Sequence, residues 1–208
     1  MRVVIVDYNA GNLESVRKAV YYAGIDPEIS AAPEDVLAAD RLILPGVGAA
    51  GRAMEKLRET GLDQALDEAV RVGGKPMLGI CLGMQILADE LLEFGPCRGL
   101  GWIRGSVAPV RDVVGEGPRV PHMGWNSVAP RNGGEAMFRS LKGRRDFYFS
   151  HSYTLRPKDD SVIAATVDYG TPLVAAVIWQ TVFATQFHPE KSQDNGERLL
   201  AAFFDWKP

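Results

Sequence analysis

Up to about residue 94, short and wholly apolar runs alternate with longer stretches in which apolar positions recur every three or four residues. The short runs predict strands buried on both faces, and the longer period predicts helices. A strand is expected over residues 3–6, followed by a helix from a cap at Asn12 to Tyr22 that Gly24 ends. A short strand over 27–30, a brief helix opened by Pro33 and a strand over 42–44 come next. Between Arg52 and Val72, the apolar positions Met54, Leu57, Leu62, Leu66 and Val70 keep helical spacing, interrupted by Gly61. Residues 76–80 form another apolar run, and from Leu82 the pattern turns helical again. Such alternation implies an α/β fold: a parallel sheet covered on both faces, with ligands at the carboxyl ends of its strands. Tyr8, Gly46 and Cys81 fall at those ends.

Beyond about residue 94 the chain changes to strand-like pieces punctuated by glycine and proline, at 107–110, 146–149, 162–167, 173–179 and 182–187. Gln180 and Thr181 join the last two as a hairpin, so the second half predicts a mixed or antiparallel extension, closed by an amphipathic helix over 196–206. The expected architecture is one domain over residues 1–208, with a central mixed sheet whose N-terminal half is mostly parallel.

Composition narrows the possible partners. A net charge of −3 with both signs interspersed offers no basic stripe for nucleic acid. The apolar runs fall well short of the ~20 residues of a spanning helix, and Asp7 interrupts the first before a signal-peptide core is reached. Two cysteines outside any metal-ligand spacing fit a reducing, cytoplasmic setting without disulfides, and neither a metal nor an organic cofactor has a signature. Cys97, among glycines and a proline, reads as incidental.

Cys81 does not. It ends an apolar run within G-I-C-L-G, where Gly79 and Gly83 permit a sharp strand-to-helix turn that presents a side chain, the pattern of a nucleophile elbow. A helix N-terminus favours negative charge, hence the reactive thiolate. The bland alternative is a small core cysteine, and a base elsewhere decides against it. His188 follows the apolar run 182–187, with Glu190 two residues later. Pro189 holds the preceding residue extended, which turns both side chains the same way and lets the carboxylate orient the imidazole. In L-P-G-V-G, the backbone N–H of Val47, with that of Leu82 after the nucleophile, is suited to an oxyanion hole. Gly46 and Gly48 relax the steric limits around Val47, so this peptide is expected to turn its N–H toward or away from the oxyanion site.

L-P-G-V-G at 44–48, G-I-C-L-G-M-Q at 79–85 and F-H-P-E at 187–190 together resemble the class I glutamine amidotransferase family. D-Y-x-x-G-N at 7–12, P-H-M-G-W-N at 121–126 and F-S-H-S-Y at 149–153 are similar to its branch of glutaminase subunits of imidazole glycerol phosphate synthase. The resemblance covers the chain from its first strand to its last helix and implies a three-layer α/β/α fold. It implies glutamine hydrolysis by Cys81, His188 and Glu190 without metal or cofactor, and ammonia delivery to a (β/α)8-barrel cyclase subunit as heterodimer partner in histidine biosynthesis. It further implies that Gly46, Gly48, Gln85, Glu93, His151, Ser152 and Tyr153 meet the substrate. Asn12, Trp125, Asn126, Tyr148 and Lys191 match positions that face the partner, although Trp125 by itself suits a core equally well. Asn9-Ala10 departs from the family's D-Y-G-x-G-N form, which puts the shape of that loop at issue. Two other functions stay open at this point: a glutaminase for another synthase, such as pyridoxal phosphate or anthranilate synthase, and an inactive regulatory relative.

Overall fold

The structure is a computed structural model that describes residues 1–131, 133–141 and 143–208. Its first half alternates as the hydrophobic pattern requires: β1 (Val3–Val6), α1 (Leu13–Tyr22), β2 (Glu28–Ser30), α2 (Pro33–Ala38) and β3 (Arg41–Gly46). Asn12 caps α1, its side chain accepting the Ser15 N–H at 3.2 Å. The stretch expected as one interrupted helix is three pieces: α3 (Ala50–Glu59), α4 (Leu62–Leu66) and a π-helical continuation over Asp67–Val72. Gly61, at φ 71°, makes the break between the first two. β4 (Met77–Cys81) then leads into α5 (Leu82–Gln85), a single turn where a longer helix was expected. Tertiary pairing overrides the local preference there. The backbone of residues 86–88 accepts hydrogen bonds from Leu100, Gly101, Trp102 and Ile103. Gly99 permits the approach, since a β-carbon there would strike the carbonyls of Ile86 and Ala88.

The remaining elements are β5 (Ala88–Leu91), β6 (Cys97–Arg98), β7 (Ile103–Pro109), α6 (Val110–Val114), β8 (His122–Pro130) and α7 (Glu135–Phe138). β9 (Asp146–His151), β10 (Tyr153–Pro157), β11 (Ile163–Asp168), β12 (Pro172–Trp179), β13 (Val182–Thr185) and α8 (Gln193–Asp205) complete the chain. Nine strands form one sheet in the order β2-β1-β3-β4-β13-β12-β11-β8-β9. The strands from β2 to β13 in this order are parallel and the rest antiparallel. The expected extension is therefore real but incomplete, because β10-β7-β5-β6 make a separate four-stranded sheet.

Alternate residues of the central strands feed two cores. Val4, Val6, Leu42, Leu44 and Met77 face α3, α4 and the small sheet. Val3, Ile5, Ile43, Leu78 and Ile80 face α1, α7 and α8, with Phe138, Phe147, Phe183, Phe187 and Phe203. Among the described residues no helix is long and apolar enough to cross a membrane.

Candidate active site

Three neighbouring parallel strands end at one place. Across β3 and β4, Gly46 lies opposite Cys81; across β4 and β13, Ile80 lies opposite Thr185. The loop after β3, the end of β4 and the residues just past β13 thereby converge, although they are far apart in sequence.

Cys81 holds φ 53° and ψ −103°, the strained backbone of an elbow. The flanking glycines serve close approach, not strain: a β-carbon on Gly83 would strike the Leu44 carbonyl, and one on Gly79 would come within 2.9 Å of Ala184 Cβ. Cys81 is only 7% exposed, less open than the motif suggests, and forms part of the wall of a cavity of about 500 Å³. Because α5 is a single turn, its dipole is short, and the partners of the sulfur carry more weight.

His188 is extended, at φ −102°, as the following proline requires. Its N–H donates to the Tyr148 carbonyl at 2.9 Å, and its own carbonyl accepts the Ser192 hydroxyl at 2.6 Å. The Pro189–Lys191 turn brings Glu190 Oε1 to 2.7 Å from His188 Nδ1. Burial alone would push the imidazole down, but the Cys81 sulfur and the Glu190 carboxylate outweigh it and raise it to about 9. His188 and Glu190 do not line the cavity.

Val47, Gly48, Gln85, Glu93, His151, Ser152 and Tyr153 line the cavity, together with Ala49, Phe94, Pro121 and Ser150. Gly46 does not. It is buried where a β-carbon would collide with the Tyr8 hydroxyl, which donates to the Pro45 carbonyl at 2.7 Å. Leu82 is likewise buried beneath the loop. Glu93 accepts the Ala50 N–H at 2.7 Å, which ties the cavity rim to the start of α3. Gln85 Nε2 donates to the Tyr153 carbonyl at 3.0 Å and to Gln186 Oε1 at 3.1 Å. His151 Nδ1 donates to the same carbonyl at 2.7 Å. Burial pushes His151 down to about 3 and its neighbour His122 to about 4, so both rings are neutral.

The sequence reading passed over Gln186. It is fully buried, and its Nε2 lies 3.5 Å from Cys81 Sγ. Its position two residues before His188, at the end of an apolar run, was the available signal.

The residues matched to a partner surface divide in two. Trp125 is 47% exposed and therefore not core; it packs edge-on against Tyr148 at 6.1 Å, and Lys191 Nζ lies 6.0 Å from the Tyr148 ring. Asn126 turns inward to His122 Nε2 at 2.7 Å, and Asn12 caps α1. At the departure, Asn9 adopts φ 60°, a left-handed conformation that asparagine tolerates. Cys97 lies apart from the site, its thiol donating to the Arg98 carbonyl at 3.6 Å.

Residues 4–206 match the glutamine amidotransferase class-I family, and the chain belongs to it. A crystal structure of a glutamine amidotransferase shares the fold, with a TM-score of 0.76 at 22% identity over 99% of this chain and 98% of that one. Two relatives narrow the placement, both described as imidazole glycerol phosphate synthase subunit HisH. The one from Zymomonas mobilis is 43% identical over 99% of this chain and 96% of its own length. The one from Rhodopirellula baltica is 46% identical over 97% and 96%.

Proposed function

We propose that this chain is the glutaminase subunit of imidazole glycerol phosphate synthase, with Cys81, His188 and Glu190 as its catalytic triad. The observation that carries this reading is the convergence of Cys81 and the His188–Glu190 pair at the ends of the adjacent parallel strands β4 and β13. With the imidazole held up to about 9, His188 is suited to take the thiol proton of Cys81 and carry it as an imidazolium.

The sulfur attacks the side-chain amide carbon of glutamine, and the developing oxyanion is met by N–H groups of Val47 and Leu82. The imidazolium gives its proton to the departing nitrogen, ammonia leaves, and a γ-glutamyl thioester remains. The neutral imidazole then takes a proton from water, hydroxide attacks the thioester, and glutamate departs with return of the thiolate. The negative charge of Glu190 holds the ring and offsets its positive state in both halves. No step calls for a metal or an organic cofactor. Gln85, Glu93 and the 151–153 segment bound the volume for the glutamine head group.

Ammonia then passes to a (β/α)8-barrel cyclase subunit, docked on the surface that includes Trp125, Tyr148 and Lys191. The decisive experiment measures glutamate release by the chain alone, with the cyclase, and with cyclase plus its nucleotide substrate, alongside glutamine-dependent ring synthesis. Release that rises at each addition, with synthesis, supports the reading; synthesis from ammonium salt but never from glutamine overturns it.

A further inference from the structure

The nucleophile is contacted by a residue outside the triad. We propose that Gln186 is a catalytic residue of this glutaminase, donating a side-chain N–H to Cys81 Sγ so that the sulfur is held as an aimed thiolate. This rests on the reading of Cys81 as nucleophile and names a further group for the same chemistry.

The direction of that hydrogen bond follows from a chain of partners with no freedom to reverse. The Tyr153 carbonyl can only accept, so both groups facing it must donate: Gln85 Nε2 at 3.0 Å and His151 Nδ1 at 2.7 Å. With its amide so oriented, Gln85 turns a second N–H of the same nitrogen to Gln186 at 3.1 Å. Gln186 must meet it with its oxygen, which leaves its Nε2 facing Cys81 at 3.5 Å. On the other side, a neutral His151 protonated on Nδ1 accepts through Nε2 from His122 Nδ1 at 2.9 Å, and His122 Nε2 accepts from Asn126 at 2.7 Å. His122 is itself clamped between Phe149 and Tyr169, with ring centroids 4.5 and 4.0 Å away.

An amide nitrogen cannot accept a hydrogen bond. A protonated sulfur accepts this N–H only weakly, whereas a thiolate accepts it strongly, so the contact favours the anion. Gln186 is fully buried, so no water substitutes for the contact at full strength. The network thus aims the sulfur and favours its anionic form before substrate arrives.

The test uses the full chain in a Cys97→Ser background, so that iodoacetamide reports on Cys81. Gln186→Met removes the donor at similar volume; Gln186→Glu keeps an acceptor for Gln85 and places oxygen against the sulfur. At pH 7 alkylation is expected to fall about 10-fold in the first and further in the second, the loss of one hydrogen bond to a charged group. The pH profile should move to higher pH with its alkaline plateau unchanged, and glutamine turnover in the cyclase complex should fall by a comparable factor with KM little altered. Unshifted profiles in both variants, or plateaus that fall with the rest, overturn the assignment and leave Gln186 a packing residue. If Gln186→Met does not fold, Gln186→Glu decides alone. Absence of glutamate release by the unaltered complex counts instead against the functional reading, because alkylation needs no substrate.

Discussion

His188 Nδ1 and Glu190 Oε1 are 2.7 Å apart, and the two side chains are only 3% and 5% exposed. The second oxygen, Glu190 Oε2, is buried with no hydrogen-bond partner among the described residues. A carboxylate so placed has the His188 ring as its hydrogen-bond partner, and each holds the other in position. Glu190→Gln keeps the shape and removes the charge. Its kcat for glutamate release should fall by about 10²–10⁴ with KM for glutamine nearly unchanged, and synthesis from ammonium salt should persist. Unchanged kcat would remove Glu190 from the mechanism.

The same pair predicts a pH dependence. His188 is raised from an ordinary 6.5 to about 9, so between those values the folded chain binds the proton more tightly than the unfolded chain does. The stabilisation is fully present below pH 6.5 and is lost as pH rises through about 9. Urea midpoints measured from pH 6 to 10 should therefore decline across this window, and Glu190→Gln should flatten the decline. Parallel curves for the two proteins would contradict the raised imidazole.

Cys81 combines chemistry with a left-handed backbone, φ 53°. Cys81→Ala and Cys81→Gly should both abolish glutamine-dependent turnover and spare ammonium-dependent synthesis. Glycine, free of the backbone strain, should be more stable than alanine there by about 1 kcal/mol in urea unfolding. Cys97→Ser should leave turnover intact; if it removes activity instead, the nucleophile is misassigned.

The glycines around Val47 separate two effects. Gly46→Ala drives a β-carbon into the Tyr8 hydroxyl and should lower stability by about 1–3 kcal/mol, so its activity says little about loop motion. Gly48 sits at φ 96° with open space around it, and Gly48→Ala restricts only the backbone. It should keep a folded chain, at a backbone cost of about 1–2 kcal/mol, yet blunt the rise in glutamate release when cyclase and nucleotide are added. Full activation of Gly48→Ala would move the switch away from this loop.

Trp125 and Lys191 both pack against Tyr148 and form an aromatic and basic patch with it. Trp125→Ala should weaken binding to the cyclase subunit about 10-fold or more, as truncation of an aromatic anchor does. The thermal unfolding of the isolated chain should hardly change, because half of this side chain lies in solvent. Titration calorimetry with equal affinities would exclude it from the interface.

Local order was written in local residues. Apolar runs, the caps at Asn12 and Gly61, the elbow around Cys81 and the proline between His188 and Glu190 all act through dihedral preference or near-neighbour contact, so the alternation of elements and the triad candidates were legible from the chain. The tertiary structure decided what depends on distant pairing. β13 adds beside β4 although more than a hundred residues separate them, and only that register puts Gln186 against the sulfur. Residues 88–91 leave a helical pattern for a strand because a second sheet offers partners. Trp125 faces outward because β8 pairs with β9 in the register Trp125–Tyr148. Backbone pairing energy and side-chain burial are properties of the assembled sheet, and no single stretch of residues encodes them.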